Sequence, residues 1–132
     1  MADKKGIVDI SQLQVPPEKH ELATARYFAN MGKDVVFLKP SNIPEVHRPD
    51  ILMGGVEWEI KCPQGKSKRT IEQNFRQAIK QSHSIIFDLR RINVPEKQCI
   101  AQLERHFNTR SDIKRLLVIK VNGELLQYGC QI

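Results

Sequence analysis

Asp50, Glu59 and Lys61 could act on one substrate atom if the chain between them turns back on itself. The runs DILM and VEWEIK flank Gly54 and Gly55, and two glycines between two strand-like runs signal a tight hairpin. With those glycines as the loop, facing positions sum to 109, so Met53 faces Val56, Leu52 faces Glu57, Ile51 faces Trp58 and Asp50 faces Glu59. Opposed residues of an antiparallel ladder have Cβ atoms about 4.5–5.5 Å apart, where like charges are destabilising. A divalent cation removes that conflict, because hard oxygen donors at such spacing are what Mg²⁺ or Mn²⁺ takes. Lys61 follows Glu59 by two residues and so leaves the same face of the strand. Glu57 faces Leu52 and reads as solvated, and Trp58 points to the opposite face, where core packing is expected rather than base stacking.

Glu21 adds a third carboxylate. It stands four residues before Ala25 and seven before Phe28, at the end of a helical inward stripe. Taken alone it reads as an acid in the positively polarised first turn. Taken together, Glu21, Asp50, Glu59 and Lys61 describe a metal-ion hydrolase. The cation would polarise a phosphoryl oxygen and lower the pKa of a bound water, and Lys61 would hold the nucleophile or offset charge developing on the phosphate. Phosphodiester cleavage is the reaction class this serves best.

The elements that position these residues follow from periodicity and punctuation. A helix is expected over 17–31, with Pro17 in its first turn, Glu18 and Glu21 at its positive end and Gly32 as its cap. DVVFLK gives a buried strand near 35–39, and KPSNIPEVHRP a loop. Beyond the hairpin and the basic stretch 61–69, Thr70 and Gln73 have capping-box spacing at the head of a helix over 70–82, with Ile71, Phe75, Ala78 and Ile79 inward. A strand over 84–89 precedes a helix over 95–108, begun by Pro95 and turning Cys99, Ile100, Leu103 and Phe107 inward. RLLVIKV and ELLQY form a last hairpin around Asn122 and Gly123, a type I′ pair. The order αβββαβαββ predicts an α/β domain over 16–132, a central mixed sheet flanked by helices, preceded by a loose arm over 1–15.

Composition bounds the rest. The chain has 132 residues, the size of one domain, and 21 Lys+Arg against 15 Asp+Glu leave a charge of +6, which favours anionic partners. No apolar run approaches a membrane span, and the opening MADKKG is unlike a signal peptide, so the expected place of action is cytoplasm, reached directly or by delivery. Cys62, Cys99 and Cys130 are odd in number and far apart, and read as reduced thiols. His20, His47, His83 and His106 lack zinc spacing, though His20 and His47 flank the proposed site. Lys66, Lys68 and Arg69 suit phosphate contact and a solvated loop equally. Gln77 and Gln81 are four apart and could face the site, although exposed helix polarity is the commoner explanation. Arg90 and Arg91 end a strand near the same sheet edge as candidate substrate contacts, and Asp88 reads as paired with a nearby cation.

Pro49 and Asp50, then Glu59, Ile60 and Lys61, preceded by Glu21 on an early helix, resemble the PD-(D/E)xK nuclease superfamily and its restriction-endonuclease-like αβββαβ core. The stretches KHELATARYFANMGKDVVFLKPSN, RPDILMGGVEWEIKCPQGKSKRTIEQNFRQAIKQS and IIFDLRRI are similar to the C-terminal tRNA nuclease domain of contact-dependent growth inhibition toxins. That resemblance implies Asp50 and Glu59 as ligands of Mg²⁺ or Mn²⁺, with the Ile60 carbonyl as a further one. It implies Glu21 as a ligand, directly or through water, and Lys61 as the catalytic lysine. It also implies RNA, tRNA above all, as substrate and an immunity protein as partner. The residues themselves leave two alternatives open: a DNA endonuclease of the same fold, and a catalytically silent nucleic-acid-binding or protein-binding module.

Overall fold

The computed structural model describes residues 4–132. Its elements are β1 (Val8–Asp9), α1 (Lys19–Asn30), β2 (Val35–Phe37), β3 (Ile51–Met53), β4 (Val56–Lys61), α2 (Thr70–Ala78), β5 (Ser84–Asp88), α3 (Glu96–Thr109), β6 (Arg115–Ile119) and β7 (Leu125–Tyr128). All seven strands join one sheet in chain order. Pairing is antiparallel for β2–β3, β3–β4 and β6–β7, and parallel for β4–β5 and β5–β6.

β1 pairs parallel with β2, so part of the expected loose arm is an edge strand instead. The Val35 N–H donates to the Ile7 carbonyl at 2.8 Å, and the Ile7 N–H donates to Asp34 Oδ1 at 3.0 Å. Two residues are too few to show an alternating pattern, so nothing in the sequence marks this strand. The first three residues of the expected arm lie outside the described part.

An apolar cluster lies on each face of the sheet. Ile85, Phe87, Leu116 and Val118 pack with Ile71 and Phe75 of α2 and Leu103 of α3. Trp58, Ile60, Ile86, Leu117 and Ile119 pack with Ala25 and Phe28 of α1. β5 and β6 are therefore covered on both sides, which is why they read as unbroken apolar runs. β4 differs, because only its Trp58 and Ile60 side joins a cluster. In register with Ile85 and Phe87 of β5, Glu59 and Lys61 emerge on the α2 side.

Turn and cap chemistry explains the boundaries. Gly54 and Gly55 both take positive φ, 61° and 75°, the type I′ requirement, and the expected pairs from Met53 with Val56 to Ile51 with Trp58 all form. Gly32, at φ 94°, ends α1: its N–H donates to the Ala29 carbonyl, and that of Lys33 to Phe28, a Schellman cap. At its other end α1 begins at Lys19, not Pro17, because the Glu18 carboxylate caps it by accepting from the His20 and Glu21 N–H groups at 2.9 and 3.2 Å. The Thr70 and Gln73 capping box is not formed; Arg69 is the cap residue, Thr70 already lies in α2, and no side chain caps that end. The last hairpin is not type I′ either. Gly123 alone takes positive φ, 92°, after Val121 and Asn122, and the Lys120 N–H donates to Glu124 O at 2.8 Å, which makes a three-residue loop with a left-handed glycine.

Candidate active site

The site is built where β3 and β4 leave strict register. Counting back through the glycines sets Asp50 opposite Glu59, but the ladder slips there: the Asp50 N–H donates to the Trp58 carbonyl at 2.9 Å. Its side chain then replaces the missing backbone partner, with Oδ2 accepting from the Ile60 N–H at 2.8 Å. Asp50 is thus not in plain cross-strand opposition to Glu59, yet its carboxyl stays within hydrogen-bonding reach of both Glu59 and Glu21.

Glu59 is almost wholly buried, at 3% exposure, a position a carboxylate rarely takes without partners. Lys61 Nζ lies 3.5 Å from its Oε2. Gln81, with its amide nitrogen turned inward, donates to both carboxylate oxygens at 2.8 and 3.0 Å. Gln81 therefore holds Glu59 in place. Gln77, four residues earlier, is exposed. The sequence offers the pair Gln77 and Gln81 equally, and only the strand that α2 packs against separates them.

Glu21 lies in the first turn of α1, its N–H held by Glu18. Burial first, and then the adjacent Asp50 charge, push its carboxyl up to about 7 and that of Glu59 up to about 9, against a smaller opposing pull from Lys61. Two acids displaced upward around a third are a cluster short of positive charge. Among the described residues no three acidic, histidine or cysteine side chains form a ready-made metal cage. The donor set nevertheless suits Mg²⁺ or Mn²⁺, since carboxylates and the Ile60 carbonyl are all hard oxygens, and the Asp50 charge acts on both glutamates.

One helical turn beyond Glu21 a second polar cluster braces the site. Asp88, fully buried at the end of β5, accepts from Thr24 Oγ1 at 2.7 Å and from Arg90 Nη2 at 2.7 Å and Nε at 2.9 Å. Burial pushes its carboxyl up, but the hydrogen bonds from Arg90 and Thr24 together outweigh that and leave it below the ordinary range. Arg90 also donates to Ala23 O at 3.3 Å and stacks over Tyr27, so its guanidinium is engaged by the protein. Arg91 Nη1 lies 3.6 Å from Asp88 Oδ2 and is buried without a hydrogen-bond partner. Cys62 sits 3.4 Å from Thr24 Oγ1, and burial pushes its thiol up to about 11, which leaves it inert at neutral pH.

The remaining candidates separate by exposure. Lys66, Lys68 and Arg69 are all exposed in the connection to α2, free to meet an anion. Trp58 is a core residue, 1% exposed, its Nε1 donating to Met53 O at 3.1 Å. His20 Nδ1 is buried without a partner at the head of α1, and His47 is exposed. His106 instead stacks on Phe75, away from the acids.

The chain is a mixed α/β domain whose seven-stranded sheet carries an acid and lysine cluster where α1, β3 and β4 meet. It belongs to the family described as the contact-dependent growth inhibition CdiA C-terminal domain, whose model matches residues 47–125. Asp50, Glu59 and Lys61 fall inside that stretch and Glu21 outside it. No curated protein matches the chain. Among solved structures, the CdiA-CT/CdiI toxin and immunity complex from Burkholderia pseudomallei contains a similar chain, with TM-score 0.67 and 20% identity, over 92% of this chain and 97% of that one. At that identity the likeness is one of fold.

Proposed function

We propose that this protein is a toxin nuclease of the PD-(D/E)xK superfamily, built on a restriction-endonuclease-like core over residues 16–132. It hydrolyses phosphodiester bonds in RNA, with tRNA the favoured substrate, using Mg²⁺ or Mn²⁺. The observation that carries this reading is the convergence of Glu21 of α1, Asp50 just before β3 and Glu59 of β4 beside Lys61, with both glutamates displaced upward in pKa. Strongly displaced acids grouped around a lysine are a signature of functional sites.

Each residue has a task in that reading. Asp50, Glu59 and the Ile60 carbonyl would hold the cation, with Glu21 completing the set directly or through water. The cation supplies charge against a phosphoryl oxygen and a more acidic bound water. Gln81 fixes the Glu59 carboxylate by both oxygens. Lys61, held toward Glu59 at 3.5 Å, orients the attacking water or offsets charge on the phosphate. Asp88 and Thr24 tie the end of β5 to α1 one turn from Glu21, so they keep the acid-bearing helix against the sheet. Lys66, Lys68, Arg69 and Arg91, with Gln77 at the exposed edge of α2, form the surface proposed to meet the nucleic acid.

Membership of the CdiA C-terminal domain family supports delivery into a target cell, action in its cytoplasm and neutralisation by an immunity protein. The test is to incubate purified protein with total tRNA, ribosomal RNA and plasmid DNA, beside Lys61→Ala. Cleavage of tRNA by the wild type and not by the variant is expected. Cleavage of plasmid alone would move the assignment to a DNA endonuclease, and binding without cleavage of any substrate would make it a silent binding module.

A further inference from the structure

The cleft that opens beside the acids has walls of a kind that catalysis does not require. It holds about 250 Å³ and reaches both Glu21 and Asp50. One wall is Leu13, Val15, Pro16 and Pro17, from the segment before α1; the other includes Pro40 and Pro49, from the connection between β2 and β3. The two walls are tied together, since the Lys39 N–H donates to Gln12 Oε1 at 3.1 Å. We propose that this cleft is a binding site for one unstacked nucleobase next to the scissile phosphate, so that the protein cuts single-stranded nucleic acid and spares duplex. The inference rests on the nuclease reading and names the form of substrate.

Size and surface support it, and Arg48 is the one cation of a lining that also includes Glu18, Glu21 and Asp50. A site for a drug-sized ligand spans about 300–1,000 Å³, so a cleft of about 250 Å³ admits a single ring system and not a base pair. Proline and valine side chains are rigid and apolar, and they offer flat contact to a base face without requiring any sequence. Val15 is 73% exposed and contributes nothing to the core, so its apolar surface is free to meet a base. Ile43 and Val46, on the same connection as Pro40 and Pro49, are also exposed. Arg48 lines the cleft, and its Nη1 lies 3.4 Å from Lys39 O, so a cation stands where a backbone phosphate would follow the base.

The track continues. A second cleft of about 210 Å³ shares Leu13, Val15 and Pro40 and adds Gln14, Lys39 and Asn42, whose amides can meet a base edge and whose ammonium can meet a phosphate. Two small clefts in series, divided by one apolar wall, suit consecutive splayed bases. A duplex hides its base faces in the stack and cannot enter either.

The experiment uses the full protein and one labelled RNA sequence in three forms: single strand, blunt duplex, and single strand with an abasic residue on either side of the mapped cut. Cleavage is followed with Mg²⁺, and binding by anisotropy with EDTA. The expected result is that duplex, and an abasic residue on one flank, each lower kcat/KM and affinity about tenfold or more, the loss of about 1.4 kcal/mol of recognition. Val15→Asp, at an exposed position that leaves folding intact, raises KM about tenfold on the single strand and keeps kcat. Equal affinity for all three forms overturns the base site, whether or not cleavage is seen. Absence of cleavage combined with tighter binding of the intact single strand overturns the nuclease reading and upholds the base site.

Discussion

Glu59 carries the electrostatic cost of the site. A buried acid whose folded pKa is raised above its ordinary value contributes stability that is complete below the ordinary value and lost as pH rises through the folded one. For Glu59 that window runs from 4.5 to about 9. Without divalent cations, Glu59→Gln should therefore be more stable than the wild type at pH 8, by at least about 1 kcal/mol, the worth of one pKa unit, and the difference should vanish toward pH 4. Chemical denaturation in EDTA at the two pH values checks both halves. Asp88 has the opposite sign. Its carboxyl lies below 3.8, so its contribution is complete above that value and disappears as pH falls through the lower, folded one. Asp88→Asn should cost about 3 kcal/mol at pH 7, the low end for breaking a buried pair, because Arg90 keeps some contact with water. Thermal melts at pH 7 and pH 3 should show that difference shrinking in acid.

The β3–β4 hairpin is the element on which the site depends, and its sequence is explicit. Gly54 and Gly55 announce the turn, and the turn fixes the pairing that brings Asp50 back toward Glu59. What the count could not supply is the slip at Asp50, because a one-residue irregularity is decided by a side chain taking a backbone partner, the Ile60 N–H. Gln81 was legible only as one of two glutamines four apart. Its selection depends on how α2 lies over β4. The type I′ geometry of the first hairpin and its absence from the last show the same limit, since Asn122 suits either turn and the closing Lys120 and Glu124 bond decides. Gly55→Val forces a β-branched residue into φ 75° and should cost about 1–2 kcal/mol or more in stability. If the hairpin sets the acids, the variant should also lose activity well beyond its loss of folded fraction, compared in one assay at a temperature where both proteins are folded.

At the scale of the whole molecule the positive balance of 21 Lys+Arg over 15 Asp+Glu fits an anionic partner, and three of those cations stand exposed at Lys66, Lys68 and Arg69. If all three meet phosphates of a single strand, replacing them with alanine should reduce the slope of log affinity against log salt by roughly 2, from about 0.7 per contact. An unchanged slope would return them to the solvated loop. The mixed sheet and, β1 apart, the order of elements along the chain were readable because apolar runs, glycine turns and three helical patterns agree with one another. The β1 edge strand was not, because the bonds beside it, from the Val35 N–H to the Ile7 carbonyl and from the Ile7 N–H to the Asp34 carboxylate, owe nothing to an alternating apolar pattern. The central claim is that the acids work through a divalent cation. Cleavage of tRNA, measured with Mg²⁺, with Mn²⁺ and with EDTA for the wild type and Asp50→Ala, tests it most directly. Activity that requires either cation, stops with EDTA and falls about a hundredfold to a thousandfold in the variant is the predicted result, the scale of losing a main transition-state stabiliser. Cleavage that continues in EDTA, or that survives Asp50→Ala, would contradict it.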